Sequence, residues 1–234
     1  MDPVVDQAVC LRQWDYSETS QTAVLFGRSL GIVRVIAKGS KRNDPRFSGG
    51  LEVCTIGEAV VYPKEQGLAI LAGWDLTDTC SRSRSSLAGY HASMLAIEAP
   101  RLVLSENEPH PEAFDGLVES LHVIDDRTWP VALARWLWTL LDAAGYRPST
   151  DVSDPVAFAP SLGGLVDEPS AERAGAAAWP VLPATAEALV SLARGDPIGV
   201  EIAEKAGRLL SWYLREVAGR DLATLTSVYG PAEP

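Results

Sequence analysis

No stretch of this sequence is long and apolar enough to cross a membrane, since it contains no run of about 18 apolar residues. The opening "MDPVVDQAVC" is acidic and lacks the basic-then-apolar order of a signal peptide, so a cytoplasmic protein is expected. There are only three cysteines, Cys10, Cys54 and Cys80. They are odd in number and widely spaced, which excludes a disulfide framework. Each lies in or beside an apolar stretch, so buried, unreactive thiols are expected. The three histidines, His91, His110 and His122, share no metal-ligand spacing such as HExxH. Neither GxxxxGK[ST] nor GxGxxG occurs, so no phosphate-cradling or dinucleotide loop is expected. The acid pairs Asp125–Asp126 and Asp167–Glu168 are adjacent residues that point in different directions, which suits helix caps or solvated loops rather than paired catalytic carboxylates. No catalytic residue, metal or cofactor is expected, and the chain is read as a non-enzyme. A hydrolase or transferase would need a nucleophile paired with one of the histidines, and the sequence offers no such pairing.

What is present is a folded composition: 234 residues, 47% hydrophobic and 22% charged. The first 75 or so residues read as strands. "DQAVCLRQWD" is rich in β-formers, 20–27 and 32–38 flank a turn at Gly31, and "LEVCTIGEAVVYP" and "GLAILAGWDL" supply two more strands. Five short strands with local turns predict a small closed barrel over residues 1–80. From about residue 82 the apolar spacing becomes helical. One helix is ended or kinked by Pro100, a second lies in "PEAFDGLVESLHVI", and a third in "WPVALARWLWTLLDAAGYRP" starts near Pro130 and stops at Gly145. Trp136, Leu137, Trp138, Leu140 and Leu141 of the third are expected in the core. Residues 147–182 read as loop, and helices follow at 183–194 and 199–219. The fold class is therefore α+β, a barrel followed by a helical domain over 81–234.

The charge is unevenly placed. The chain has a formal net charge of −11, yet residues 28–46 hold six cations, Arg28, Arg34, Lys38, Lys41, Arg42 and Arg46, against one acid, Asp44. Lysines on a sheet edge discourage edge-to-edge pairing. A flexible basic loop on a small barrel also suits an oligonucleotide-binding arrangement, in which cations track phosphates and aromatics such as Trp14, Tyr16 and Phe47 offer stacking faces. Both readings follow from composition alone.

The stretch "DYSETSQTAVLFGRSLGIVRVIAKGSKRNDPRFSGGLEVCTIGEAVVY" resembles the N-terminal domain of the bacterial recombination-mediator family RecO. The similarity is carried by Glu18, Thr19, Ser20, Gly31, Ala37, Lys38, Gly39, Lys41, Arg42, Arg46, Phe47 and Leu51. "LLDAAGYRP" and "GRLLSWYLREVAGRDLATLTSVY" follow the family's order and spacing further on. The resemblance implies an N-terminal OB-fold barrel and an all-helical C-terminal domain. It implies binding of single- and double-stranded DNA, strand annealing, and help in loading RecA onto DNA coated by single-strand-binding protein, in a cytoplasmic, nucleoid-associated protein. The implied partners are DNA, RecR and the acidic tail of single-strand-binding protein. Many relatives carry a four-cysteine zinc motif after the "GYxP" element, whereas here no cysteine follows Cys80. No zinc is therefore expected, and residues 147–182 must be held by packing of Phe158, Leu162, Leu165 and Trp179.

Residues 81–234 hold 12 basic and 21 acidic side chains, which concentrates the expected DNA contacts on the barrel. Lys38, Lys41, Arg42 and Arg46 are expected as the main phosphate surface, with Arg28 and Arg34 supporting. For the acidic tail, Arg135 beside Trp138 on one face of the third helix is the expected anchor. The competing reading is an interaction adaptor with little DNA affinity.

Overall fold

The computed structural model describes residues 2–42, 45–48, 50–64 and 67–231. Asp44, the lone acid of the basic segment, lies outside the described residues. The barrel is built from β1 (Val4–Asp15), β2 (Gln21–Gly27), β3 (Gly31–Ala37), β5 (Ile56–Tyr62) and β6 (Ala69–Asp78), with the two-residue β4 (Phe47–Ser48) beside β6. β1 is long enough to pair with β5 through its first half and β2 through its second. The register shift between Cys10 and Arg12 marks the bend that lets one strand serve both neighbours. Parallel pairing of Val35 with Ala69 and Ile36 with Ile70 closes the cylinder.

Both faces of these strands are apolar for part of their length, because one lines the barrel and the other meets helices. Ala8, Cys10, Leu25, Val33, Val35, Val61, Leu71 and Trp74 fill the interior. Val9, Leu11, Val24, Phe26 and Ile32 face outward into the helical core, where Phe26 meets Phe114 edge-on at 5.6 Å. This two-sided burial explains why "TAVLF" and "GIVRVIA" run nearly unbroken rather than alternating.

The helical region begins with α1 (Leu87–Glu98), whose N-cap Ser86 accepts from the Gly89 amide at 3.1 Å. Pro100 begins a short separate helix, α2 (Pro100–Val103), rather than merely ending α1. α3 (Pro111–Val123) and α4 (Trp129–Ala143) follow, and α4 has Pro130 in its first turn and left-handed Gly145 just beyond its end. α4 is the centre of this half: Leu133, Trp136, Leu137, Leu140 and Leu141 are buried, and the Trp136 indole donates to the Ala96 carbonyl at 3.0 Å. α6 (Pro183–Arg194) and α7 (Val200–Ala218) keep nearly the bounds the spacing predicts, and α8 (Leu225–Tyr229) closes the chain.

Residues 147–182 are not simply loop. They form a three-stranded sheet, β7 (Ala157–Ala159), β8 (Gly164–Val166) and β9 (Trp179–Pro180), with the short helix α5 (Glu168–Ala174). Phe158 stacks on Trp179 at 5.9 Å and meets Tyr213 of α7 edge-on at 5.0 Å. Leu165 is buried as expected, but Leu162 is 58% exposed. It ends a single turn before left-handed Gly163, where the chain reverses and its side chain is left on the outside.

The two halves are joined along β3. The Asn107 amide donates to the Ile32 carbonyl at 2.8 Å, and Glu106 forms a parallel bridge with Ile32. Gly31 lies directly against the Glu108 backbone.

Candidate nucleic-acid interface

Cross-strand register decides which side chains share the outer face of β1–β2–β3. Arg12 lies opposite Val24, which lies opposite Arg34; in the next such row Trp14, Thr22 and Ile36 are aligned. Directly opposed residues project to one side of a sheet. Val24 is covered by the helical core, whereas Arg12, Trp14 and Arg34 emerge beside it. From Ile36 on β3 onward, Tyr16, Thr19, Ser20, Lys38, Gly39, Arg42 and Arg46 complete the lining of a groove of about 260 Å³.

The basic loop is held above this groove by its backbone. Gly39 takes a left-handed conformation, the Arg42 amide donates to the Gly39 carbonyl at 2.9 Å, and the Lys41 amide donates to the Thr19 carbonyl at 3.2 Å. The buried Ser40 hydroxyl lies 3.0 Å from Gln21 Oε1 and 3.1 Å from the Ala37 carbonyl, which pins the turn to β2.

The structure divides the six cations. Lys38, Arg42 and Arg46 share the groove, and neither Lys38 nor Arg42 makes an ion pair with a described residue. Lys41 Nζ instead meets Asp15 Oδ2 at 2.8 Å. Arg28 and Arg34 face the helical half. Arg28 makes a two-pronged contact with Asp115 of α3 at 2.8 and 2.9 Å, and Arg34 Nε meets Glu106 at 3.1 Å. The mutual hydrogen bond holds the Arg28 guanidinium more firmly protonated and the Asp115 carboxyl below its ordinary range. The pairs are at least partly solvated, so each contributes little to the fold and yields readily to a competing anion.

Of the three aromatics expected as stacking faces, Phe47 is buried in the barrel, whereas Trp14 and Tyr16 are 44% and 65% exposed. The Arg12 guanidinium lies over the Trp14 ring at 5.2 Å from its centroid. Arg12 was not among the residues expected from sequence; the signal for it was the two-residue spacing to Trp14 on a strand, which puts both on one face.

At the proposed tail site, Trp138 is only 6% exposed and Arg147 lies over its ring at 5.9 Å. Arg135 donates to the Asp196 carbonyl at 2.8 Å, and Arg147 donates to the Ala193 carbonyl at 3.3 Å and pairs with Asp142 at 3.4 Å. Arg147 thus meets a carbonyl in the last turn of α6, where cations are favoured, and Arg135 one just beyond that helix.

The histidines, paired acids and cysteines each have a local setting. His91 Nδ1 lies 2.9 Å from the Ser227 carbonyl, His122 Nε2 lies 3.1 Å from Asp78, and His110 Nε2 is buried without a hydrogen-bond partner. Asp167 caps α5 through the Ser170 amide, and Asp125 accepts from the Arg127 and Thr128 amides while pairing with Arg82. Those contacts, Arg82 foremost, hold the Asp125 carboxyl well below the usual range. All three cysteines are buried, and burial pushes the Cys10 thiol up to about 12. The neighbouring Cys54 thiol, foremost, and burial push the Cys80 thiol up. Among the described residues no group of three or more His, Cys, Asp or Glu is arranged to hold a metal ion, and no helix is long and apolar enough to cross a membrane.

Comparison with known proteins matches both halves. A family model described as "Recombination protein O N terminal" covers residues 1–80, and one described as "Recombination protein O C terminal" covers residues 84–226. A DNA repair protein RecO of Anaeromyxobacter dehalogenans is 28% identical over 246 residues, spanning 95% of this chain and 94% of its own. One from Myxococcus xanthus is 27% identical and spans 96% of each. One from Geobacter sulfurreducens is 31% identical over 152 residues, 64% of this chain and 62% of its own.

Proposed function

The chain belongs to the RecO family of DNA repair proteins, and from that premise we propose that it is a non-enzymatic recombination mediator that binds DNA on its barrel, anneals complementary strands and helps load RecA onto DNA coated by single-strand-binding protein. The observation that carries the DNA-binding step is the groove that Lys38, Arg42 and Arg46 line together with the exposed Tyr16. Cations lining a groove meet backbone phosphates and release their counterions, while the phenol ring stacks on a base. Lys41, Arg28 and Arg34 act as a second rank, since phosphate must first displace Asp15, Asp115 or Glu106. Nothing in this scheme asks the protein to make or break a covalent bond. RecR and the tail of single-strand-binding protein are the protein partners, the tail meeting the cation of Arg135.

The test is binding of unrelated DNA sequences across a salt series, with strand annealing as the functional readout. The Lys38→Glu/Arg42→Glu variant is expected to weaken all sequences alike and to flatten the salt slope by about 0.7 per lost single-strand contact. It is also expected to slow annealing of strands coated with the cognate single-strand-binding protein. Unchanged affinity and slope in that variant would favour the adaptor reading.

A further inference from the structure

The outside of the barrel carries an apolar row that the function described above does not use. Trp14 lies opposite Thr22, Thr22 opposite Ile36, Ile36 opposite Ile70 across the closing seam, and Ile70 opposite Tyr62. Directly opposed residues project to one side of a sheet. The chain neighbours Val35, Ala69, Leu71 and Val61 are buried in the barrel interior, so the row lies on the outer face. It crosses four strand spacings, about 19 Å at roughly 4.8 Å each. Its aromatic ends, Trp14 and Tyr62, are exposed, and the three residues between them are half-buried.

The outer face of a sheet open to water is ordinarily polar. Where apolar residues face outward elsewhere on this barrel, the helices account for them: Val9, Leu11, Val24, Phe26 and Ile32 belong to the helical core. Trp14, Ile36, Ile70 and Tyr62 belong to none of the apolar clusters. Neither do Val5 and Val60, which lie opposite one another in the next outward row along β5. An uncovered, contiguous apolar stripe of this kind marks a contact surface.

Its borders indicate what it contacts. Ile36 also lines the groove of Lys38, Arg42 and Arg46, and Arg46 lines a second hollow together with Val60, Ala72 and Gly73. The basic segment thus borders the row through both hollows. The carboxylates of the second hollow, Glu58 and Asp75, lie opposite each other. They are four residues along β5 from Tyr62, about 13 Å at roughly 3.3 Å per residue, so the row itself is uncharged. A narrow apolar row with aromatic ends and cations along its border suits a single strand, bases on the row and phosphates on the cations.

We propose that this row is a base-stacking track for single-stranded DNA. A strand whose phosphates lie on Lys38, Arg42 and Arg46 lays its bases across the Ile36–Ile70 seam and stacks one of them on Tyr62. The proposal rests on the DNA-binding reading of the groove and deepens it, adding Ile70 and Tyr62 as contacts and an unpaired strand as the occupant. A duplex is excluded from the track because its bases are already stacked on one another.

The test measures binding of single strands of about 4 and about 16 nucleotides, the extremes of a barrel's site size, and of a duplex, each across a salt series. Tyr62→Thr replaces the ring with a β-branched strand former. It should bind the long strand at least fivefold more weakly than wild type. Its salt slope should be unchanged, because it loses a base contact and no phosphate contact. The short strand, which the groove alone accommodates, and the duplex should bind as before, and these two probes also report that the variant is folded. Tyr62→Phe, which keeps the ring, should match wild type. Lys38→Gln/Arg42→Gln should instead weaken every probe and flatten the slope. If that groove variant is weakened while Tyr62→Thr matches wild type on the long strand, the track is wrong, the row is left to a protein partner, and the groove reading stands. If Tyr62→Phe loses as much as Tyr62→Thr, or if short and long strands lose equally, stacking on Tyr62 is refuted. If wild type shows no salt-dependent DNA binding, both readings fall.

Discussion

Replacing Gly31 with alanine probes the contact that fixes the barrel against the helices. Gly31 has φ +67°, and a Cβ there would lie 2.1 Å from the Glu108 carbonyl oxygen, 2.6 Å from its carbon and 2.9 Å from its nitrogen. These are backbone atoms, so no side-chain rotation relieves the clash. The left-handed conformation costs an alanine about 1 kcal/mol. Moving residues 106–108 away breaks the 2.8 Å bond from the Asn107 amide to the Ile32 carbonyl, a further loss of about 1 kcal/mol. Loosened packing around Phe26 and Phe114 adds about 1 kcal/mol more. A total of about 3 kcal/mol corresponds to a fall of roughly 6–12 °C in Tm for a chain of this length. The control is Gly195→Ala, at the end of α6, where φ is +75° but nothing lies within 4 Å of the added carbon. It should carry the conformational cost alone, roughly 2–4 °C. Calorimetric melting of the two variants isolates the close approach from the strain. Equal losses in both would refute the argument that Gly31 is required by contact between the halves.

That contact illustrates what the sequence could and could not reveal. β-branched runs and turn residues marked the barrel strands, and Pro130 and Gly145 bracketed α4 almost to the residue. A closed barrel was expected from the five short strands, but the pairs that close it, Val35–Ala69 and Ile36–Ile70, join segments far apart in the chain and carry no local signal of their own. The β7–β8–β9 sheet was missed because strands of two or three residues are too short to display a period. The basic run was legible as a run, but the division of labour within it was not. Asp115, Glu106 and Asp15, which occupy Arg28, Arg34 and Lys41, lie 87, 72 and 26 residues away. Likewise, helical spacing placed Trp138 near Arg135 and in the core, but could not say that Arg147 would lie across its ring.

Two further outcomes test particular side chains. Asp125 is more acidic in the folded protein than in the unfolded chain, through Arg82 first and then the Thr128 and Arg127 amides. A depressed folded pKa contributes stability that is present above the ordinary carboxylate pKa, about 4, and lost as pH falls through the folded value. Asp125→Asn should therefore lower Tm at pH 7, with the difference from wild type shrinking below about pH 4; a difference that is constant across acid pH would contradict the assignment. Arg135 has a visible structural task, donating to the Asp196 carbonyl beyond α6, and the proposed task of holding the acidic tail of single-strand-binding protein. The two are separable. A purely capping role predicts that Arg135→Ala lowers Tm while calorimetric affinity for the tail peptide is unchanged. A tail-binding role predicts at least a fivefold loss of peptide affinity, about 1 kcal/mol or more, with naked DNA bound as before. We expect the fivefold loss. Its absence would assign Arg135 to the α6 terminus alone and move the tail to another surface, leaving the proposal for the groove around Tyr16 and Arg42 untouched.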